Sequence, residues 1–258
     1  MPEKPGMQFT ENKVTASREY KKPGVTPSDP KLGDRQLGVL AKHWTSGNVK
    51  TRLIPTYSAD ESAVLHRLFL ETTLHRFAHL ADHRVLSFTP EFYRSSFAEI
   101  ATNQWDVLPQ KGNDLGERMT NYFHEAFVSG KERVLLIGAD TPHLPAVYIE
   151  AAFTALGQCD LVFVASDDGG YCLVGASRPV DPLMIGIDWG SSSVWEQTKT
   201  KIRALQWSLL QLPSWYDIDR PEDVTRLLED LANHPDLKHA VRDPYLSTLR
   251  EKLKKIHR

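Results

Sequence analysis

The run Val134-Leu135-Leu136-Ile137-Gly138-Ala139-Asp140-Thr141-Pro142 constrains this chain more than any other stretch. Its unbroken apolar half predicts a strand buried on both faces, the kind found in parallel sheets. The carboxyl end of such a strand borders the crevice in which open α/β sheets bind ligands. The residue delivered there is one aspartate, and Thr141-Pro142 then turns the chain away. Two roles are open to Asp140. It can hold a divalent cation that in turn holds a diphosphate, or, with Thr141, it can cap a helix starting near Leu144.

The rest of the pattern fits the same sheet. Strands are expected at Gln36–Ala41, Arg84–Phe88, Trp105–Leu108, Leu161–Ala165, Tyr171–Gly175 and Trp207–Leu212. Helices are expected at Asp60–Ala81, after Pro90, and at Leu115–Val128, Ala146–Leu156, Ser192–Ala204, Pro221–Leu231 and Tyr245–His257. Strands alternating with helices predict a doubly wound, mostly parallel α/β sheet flanked by helices. One domain is expected over 35–233, preceded by a proline-dotted, aperiodic arm over 1–34 that reads as disordered or loosely attached, and followed by a helical extension over 234–258.

Composition narrows the partners. A net charge of -2 gives no electrostatic case for nucleic acid or a membrane surface. No apolar run approaches the roughly 20 residues of a membrane span. The two cysteines, Cys159 and Cys172, sit beside apolar strands and read as buried reduced thiols, so a cytoplasmic setting is expected.

Several loops carry polar residues suited to a phosphate ligand. After the first strand, Gly47 allows close backbone approach while Lys50 and Arg52 bring positive charge, although the Gly-Lys-Ser/Thr ending of a Walker loop is missing. Gly112 and Asp114 precede a helix; Asp114 can cap it with Glu117 closing a capping-box-like pair, or the two can touch a nucleotide. Asp168-Gly169-Gly170-Tyr171 is a hairpin turn or a place where a ligand lies on the backbone with Asp168 bonding a hydroxyl. Trp189 is a core residue or a stacking platform. Asp217 and Asp219 precede Pro221, with Asp219 suited to cap the following helix or to join Asp140 on a cation. His75, His79 and His83 recur every four residues, but no cysteine or carboxylate partner makes them a zinc site.

In order, Lys50-Thr51-Arg52-Leu53 after Gly47, Asp114-Leu115-Gly116-Glu117-Arg118-Met119, Gly138-Ala139-Asp140-Thr141-Pro142, Asp168-Gly169-Gly170-Tyr171 and Tyr216-Asp217-Ile218-Asp219-Arg220-Pro221-Glu222-Asp223 resemble the DUF2064 family, also called selenodomain-associated transferase 1. The likeness runs from about Gln36 to Leu231. It implies the GT-A fold of the nucleotide-diphospho-sugar transferase superfamily. It further implies a nucleotide across the carboxyl edge, Mg²⁺ or Mn²⁺ on Asp140 and Asp219, and phosphates on Lys50 and Arg52. The expected activity is metal-dependent glycosyl transfer from a nucleotide sugar to a small acceptor, with Asp140 and Asp168 catalytic and Gly169, Gly170, Tyr171 and Trp189 at the substrate. Nucleotidyl transfer from an NTP with pyrophosphate release, and a non-catalytic nucleotide-binding module, are the alternatives.

Overall fold

A computed structural model describes residues 34–54, 56–234, 237 and 243–257. Residues 1–33 of the expected arm lie outside the described residues. Seven strands, β1 (Arg35–Lys42), β2 (His83–Thr89), β3 (Asp106–Pro109), β4 (Arg133–Gly138), β5 (Leu161–Ser166), β6 (Tyr171–Ala176) and β7 (Leu209–Trp215), form one sheet. Its order is β3-β2-β1-β4-β6-β5-β7, with β6 antiparallel to both neighbours and the other pairs parallel. The helices are α1 (Ala59–Phe77), α2 (Arg94–Ala101), α3 (Leu115–Val128), α4 (Ala146–Ala155), α5 (Asp181–Met184), α6 (Val194–Leu205), α7 (Pro221–Asn233) and α8 (Pro244–Ile256).

Strand alternation builds two cores. Leu37, Val39, Leu135, Ile137, Val162 and Val164 face α1, α2, α4, α7 and α8. Val134, Leu136, Leu161 and Phe163 face α3, α5 and α6. Both faces of β4 and β5 are therefore covered, which explains their unbroken apolar sequence. Gly38 of β1 has a packing reason: a Cβ there would meet the Tyr122 ring at 2.3 Å, and the Tyr122 hydroxyl donates to the Leu135 carbonyl at 3.0 Å.

The helix ends follow local chemistry. Ser58 and Glu61 form a capping box at the start of α1. Asp114 caps α3 through the Glu117 amide at 2.8 Å, whereas the Glu117 carboxylate takes the Asn113 amide, one residue earlier than in a capping box. α8 inserts Leu246, Leu249 and Leu253 into the first core. Arg76 of α1 ties its start to the site: it donates to Asp243 at 2.8 Å and to the carbonyls of Pro142 and Leu144, just after Asp140. No helix among the described residues is long and apolar enough to cross a membrane.

Two elements differ from expectation. The last strand lies at Leu209–Trp215, further along than Trp207–Leu212, because Gln206 takes a left-handed conformation that ends α6 and leaves Trp207 and Ser208 outside the strand. It is an edge strand, so Pro213 costs no ladder bond there. The helix Asp181–Met184 was not expected; it is a single turn with too little periodicity to read.

Candidate nucleotide site

The register of β1 and β4 decides the site. Leu40 pairs with Gly138, so Lys42 and Asp140 leave the carboxyl edge side by side. The Ile218 amide donates to the Asp140 carbonyl at 3.0 Å, bringing the segment after β7 against the same edge. Ile218 is fully buried in the core, while Asp217 and Asp219 flank it. A cavity of about 360 Å³ results, lined by Lys42, the 48–52 loop, His66, Asp140 and Asp219.

Lys50 stands at its centre. Its ammonium lies 2.7 Å from Asp140 Oδ1 and 2.8 Å from Asp219 Oδ1, and its side chain is only 3% exposed. Arg52 reaches Asp219 Oδ2 at 3.4 Å. The Lys50 backbone is left-handed (φ 48), a conformation that side-chain-bearing residues adopt at a cost. Burial opposes the charge on Lys50, but the Asp140 and Asp219 carboxylates outweigh it and raise its pKa. Burial likewise opposes ionisation of Asp140, yet Lys50 and His66 hold its pKa well below the usual carboxylate range.

Neither aspartate acts as a helix cap. The residue before α4 is Pro145, with no side-chain cap. At α7 the Asp223 carboxylate receives the amides of Asp219 (3.0 Å) and Arg220 (2.7 Å), which leaves the Asp219 side chain free for Lys50 and Arg52. The expected capping role of Asp219 is thereby corrected: a carboxylate inside the first turn does that work.

Asp217 completes the acidic edge. It accepts from Thr141 Oγ1 at 3.2 Å. Burial, then the charges of Asp140, Asp168 and Asp219, push its pKa up to about 7. The sign of the pH effect follows. An unfolded aspartate releases its proton near pH 4, so between about pH 4 and 7 the folded chain binds the extra proton and stability falls as pH rises. Asp217→Asn should therefore be more stable than the parent at pH 8, by about 1–3 kcal/mol after solvent screening, and no more stable below pH 4. Urea melts at both pH values check this; an equal difference at both would refute it.

The other expected residues lie elsewhere. Gly47 is exposed on the basic loop, outside the cavity lining. Gly112 and Asp114 sit at the start of α3, where Asp114 is engaged as its cap. Asp168 is exposed at the end of β5, accepting from Ser166 Oγ and from the Gly170 amide, which makes the 166–171 segment a closed hairpin turn. Gly169 has φ 91, and a Cβ there would lie 1.9 Å from the Ser192 carbonyl oxygen. Tyr171 packs edge-on against Phe163 and Trp195 in the second core. Trp189 lies over Gly116, whose added Cβ would meet its indole nitrogen at 2.3 Å. None of these lines the Lys50 cavity. His75 bonds the Glu71 carbonyl at 2.7 Å, and no group of three His, Cys, Asp or Glu side chains is set for a metal among the described residues.

Sequence reading missed His66. It sits in the buried stripe of α1 with Ala63, Leu65, Phe69 and Leu70. The available signal was a histidine inside an apolar helix face, which by itself also describes an ordinary core residue.

Residues 73–191 match the model of DUF2064, described as an uncharacterized protein conserved in bacteria. Over that segment the chain is similar to DUF2064 proteins. The family model thus spans α3, β4 and Asp140, and the 168–171 hairpin. No curated protein matches. Among solved structures, a candidate nucleotide-diphospho-sugar transferase from Desulfovibrio desulfuricans G20 is 28% identical, with a TM-score of 0.75, covering 84% of this chain and 99% of that one. A 4-diphosphocytidyl-2C-methyl-D-erythritol synthase from Anaerococcus prevotii DSM 20548 is 11% identical with a TM-score of 0.54, covering 80% of this chain and all (100%) of that one. The second likeness is one of fold. With the sheet order above, these place the chain among GT-A-type doubly wound α/β proteins.

Proposed function

We propose that this chain is a transferase acting on a nucleotide-diphosphate-activated substrate, with a nucleotide sugar as donor and a small molecule as acceptor. The observation that carries the reading is the cluster at the carboxyl edge, where Lys50 meets Asp140 and Asp219 within 2.8 Å and Arg52 stands beside them. The 28% identity to a candidate nucleotide-diphospho-sugar transferase supports it.

The residues fit a divalent ion. Asp140 and Asp219 already share one positive charge, the Lys50 ammonium, so the pair is built to hold a cation. As two carboxylates they are the residues that would hold Mg²⁺ or Mn²⁺. Such an ion, when bound, neutralises charge on the departing diphosphate. Lys50 and Arg52 would leave the carboxylates for the phosphate oxygens and hold them against the growing negative charge. Asp168 has one oxygen engaged by Ser166 and Gly170. Its other oxygen would orient the acceptor hydroxyl or take its proton.

Nucleotidyl transfer is the second reading. It is favoured by the convergence of both basic side chains on one carboxylate, Asp219, which marks a place where a pyrophosphate would be gripped. Product analysis decides. The full chain is incubated with Mn²⁺ and panels of nucleotide sugars and NTPs in the presence of candidate acceptors. Release of nucleoside diphosphate from a sugar nucleotide is expected; pyrophosphate release from an NTP would transfer the assignment to the second reading. Calorimetric nucleotide binding with neither product would reduce the chain to a binding module.

A further inference from the structure

Arg76 of α1 stands beside the turn that follows Asp140, with its side chain only 4% exposed. Nη1 donates to the Pro142 carbonyl at 2.6 Å and to the Leu144 carbonyl at 3.0 Å, and Nε donates to Asp243 Oδ2 at 2.8 Å. The other oxygen of Asp243 accepts from the Tyr245 and Leu246 amides, so one carboxylate both caps α8 and holds the guanidinium. The turn needs such a partner. Residues 141–145 are all buried, and a buried carbonyl without a donor is costly. Between the two clamped carbonyls lies His143, fully buried against Trp215 and Tyr216, with no hydrogen-bond partner on either ring nitrogen. Burial, then the charges of Arg76 and Arg226, hold its pKa well below the ordinary range. An unbonded polar ring inside the core favours opening of the turn, so the turn is held closed against a cost. At its head stands Asp140, 2.7 Å from the Lys50 ammonium, followed by Thr141, whose hydroxyl donates to Asp217 at 3.2 Å.

We propose that Arg76 is a positioning residue: by clamping the carbonyls of Pro142 and Leu144 it holds Asp140 where it meets Lys50, and Asp243 keeps the clamp in place. The proposal deepens the transferase reading and rests on it for the effect on turnover. The effect on the Lys50–Asp140 pair is independent of any reaction. Arg76 lies outside the cavity lining, so it acts through the turn and not on a substrate. A guanidinium suits the task because its rigid fork reaches three oxygens at once, whereas an ammonium is a point charge on a flexible stem. The clamp also gives α8 a role at the site. That helix begins beyond residues 73–191, the segment similar to DUF2064, yet the Asp140 turn inside the segment leans on its first residues.

The test uses the full chain with its lysine nitrogens labelled by the heavy isotope. Nuclear magnetic resonance then reads the Lys50 ammonium, assigned by its loss in Lys50→Met. Ion-paired on a side chain only 3% exposed, it should give a resonance protected from exchange with water. Arg76→Lys should broaden or erase that resonance and lower donor turnover about 10–100-fold, the scale of a misplacement of about 1 Å. Asp243→Asn should act in the same direction while circular dichroism shows α8 intact, because asparagine caps a helix as well as aspartate does. Adding His143→Phe to the Asp243→Asn chain should return part of the resonance, since the turn then buries no unbonded nitrogen. A general loosening of α8 would not be relieved by a change inside the turn. If Arg76→Lys does not fold, Asp243→Asn and its double variant carry the test. An unprotected Lys50 ammonium in the parent, a resonance unchanged in the variants, or a loss that His143→Phe does not relieve would overturn the proposal. A resonance lost as expected in a chain that turns over no donor would sink the transferase reading alone. Donor turnover by the parent, with a resonance untouched in the variants, would sink the positioning role alone.

Discussion

Lys50→Met should lower donor turnover by about 10²–10³-fold, the usual cost of removing one preorganised charge from the stabilisation of a leaving anion. It should also destabilise the fold. The Lys50 side chain is 3% exposed, and its loss leaves Asp140, Asp219 and Asp217 crowded without their ammonium. Breaking a fully buried ion pair from one side costs about 3–5 kcal/mol. Here the partner carboxylates are 39% and 33% exposed, so a cost of about 1–3 kcal/mol is expected. For a chain of this size each kcal/mol lowers the melting midpoint by about 2–4 °C. Mg²⁺ should recover part of that loss by occupying the vacated charge, without restoring turnover, because Lys50 also serves the phosphate. Melting scans with and without Mg²⁺, beside product assays, check both halves. A variant as stable and as active as the parent would remove Lys50 from the site.

Asp140→Asn carries the second large effect. Donor turnover should fall at least about 10²-fold, and binding of divalent ions should weaken with it. The stability change should be smaller than for Lys50→Met, since Lys50 keeps Asp219 as counter-ion at 2.8 Å. The variant also has a signature that simple unfolding would not give. Asp140 is the leading charge that raises the pKa of Asp217, after burial. Removing it should let Asp217 ionise at a lower pH, which carboxyl resonances followed by carbon NMR across pH 4–9 would register. An unchanged Asp217 titration would mean that the two carboxylates do not interact as their positions require.

Local sequence made much of this legible. Leu115–Val128 could be read because an aspartate cap precedes an amphipathic stripe, and those are nearest-neighbour facts. Asp140 was visible because a doubly buried strand announces its own end. The shift of the last strand was not visible: Gln206 adopts a left-handed turn with no glycine or asparagine to signal it. Asp219 looked like a cap because the first turn of α7 holds several acids, and sequence spacing does not say which of them the amides choose. His66 was hidden for a different reason. Its partners are a carbonyl 24 residues away and a carboxylate 74 residues away, and only the packed sheet brings them together.

By itself the order of residues determined the class of fold, the placement of most elements, and the acids and bases able to meet an anion. These follow from periodicity and capping, which act over a few residues. Only the tertiary structure decided which of them meet: that Lys50 lies between Asp140 and Asp219, that Asp223 rather than Asp219 holds the helix end, and that His66 sets a buried nitrogen 3.4 Å from Asp140. Charge interactions depend on distance and burial, and both are set by the register of β1 against β4 and by the return of the chain after β7.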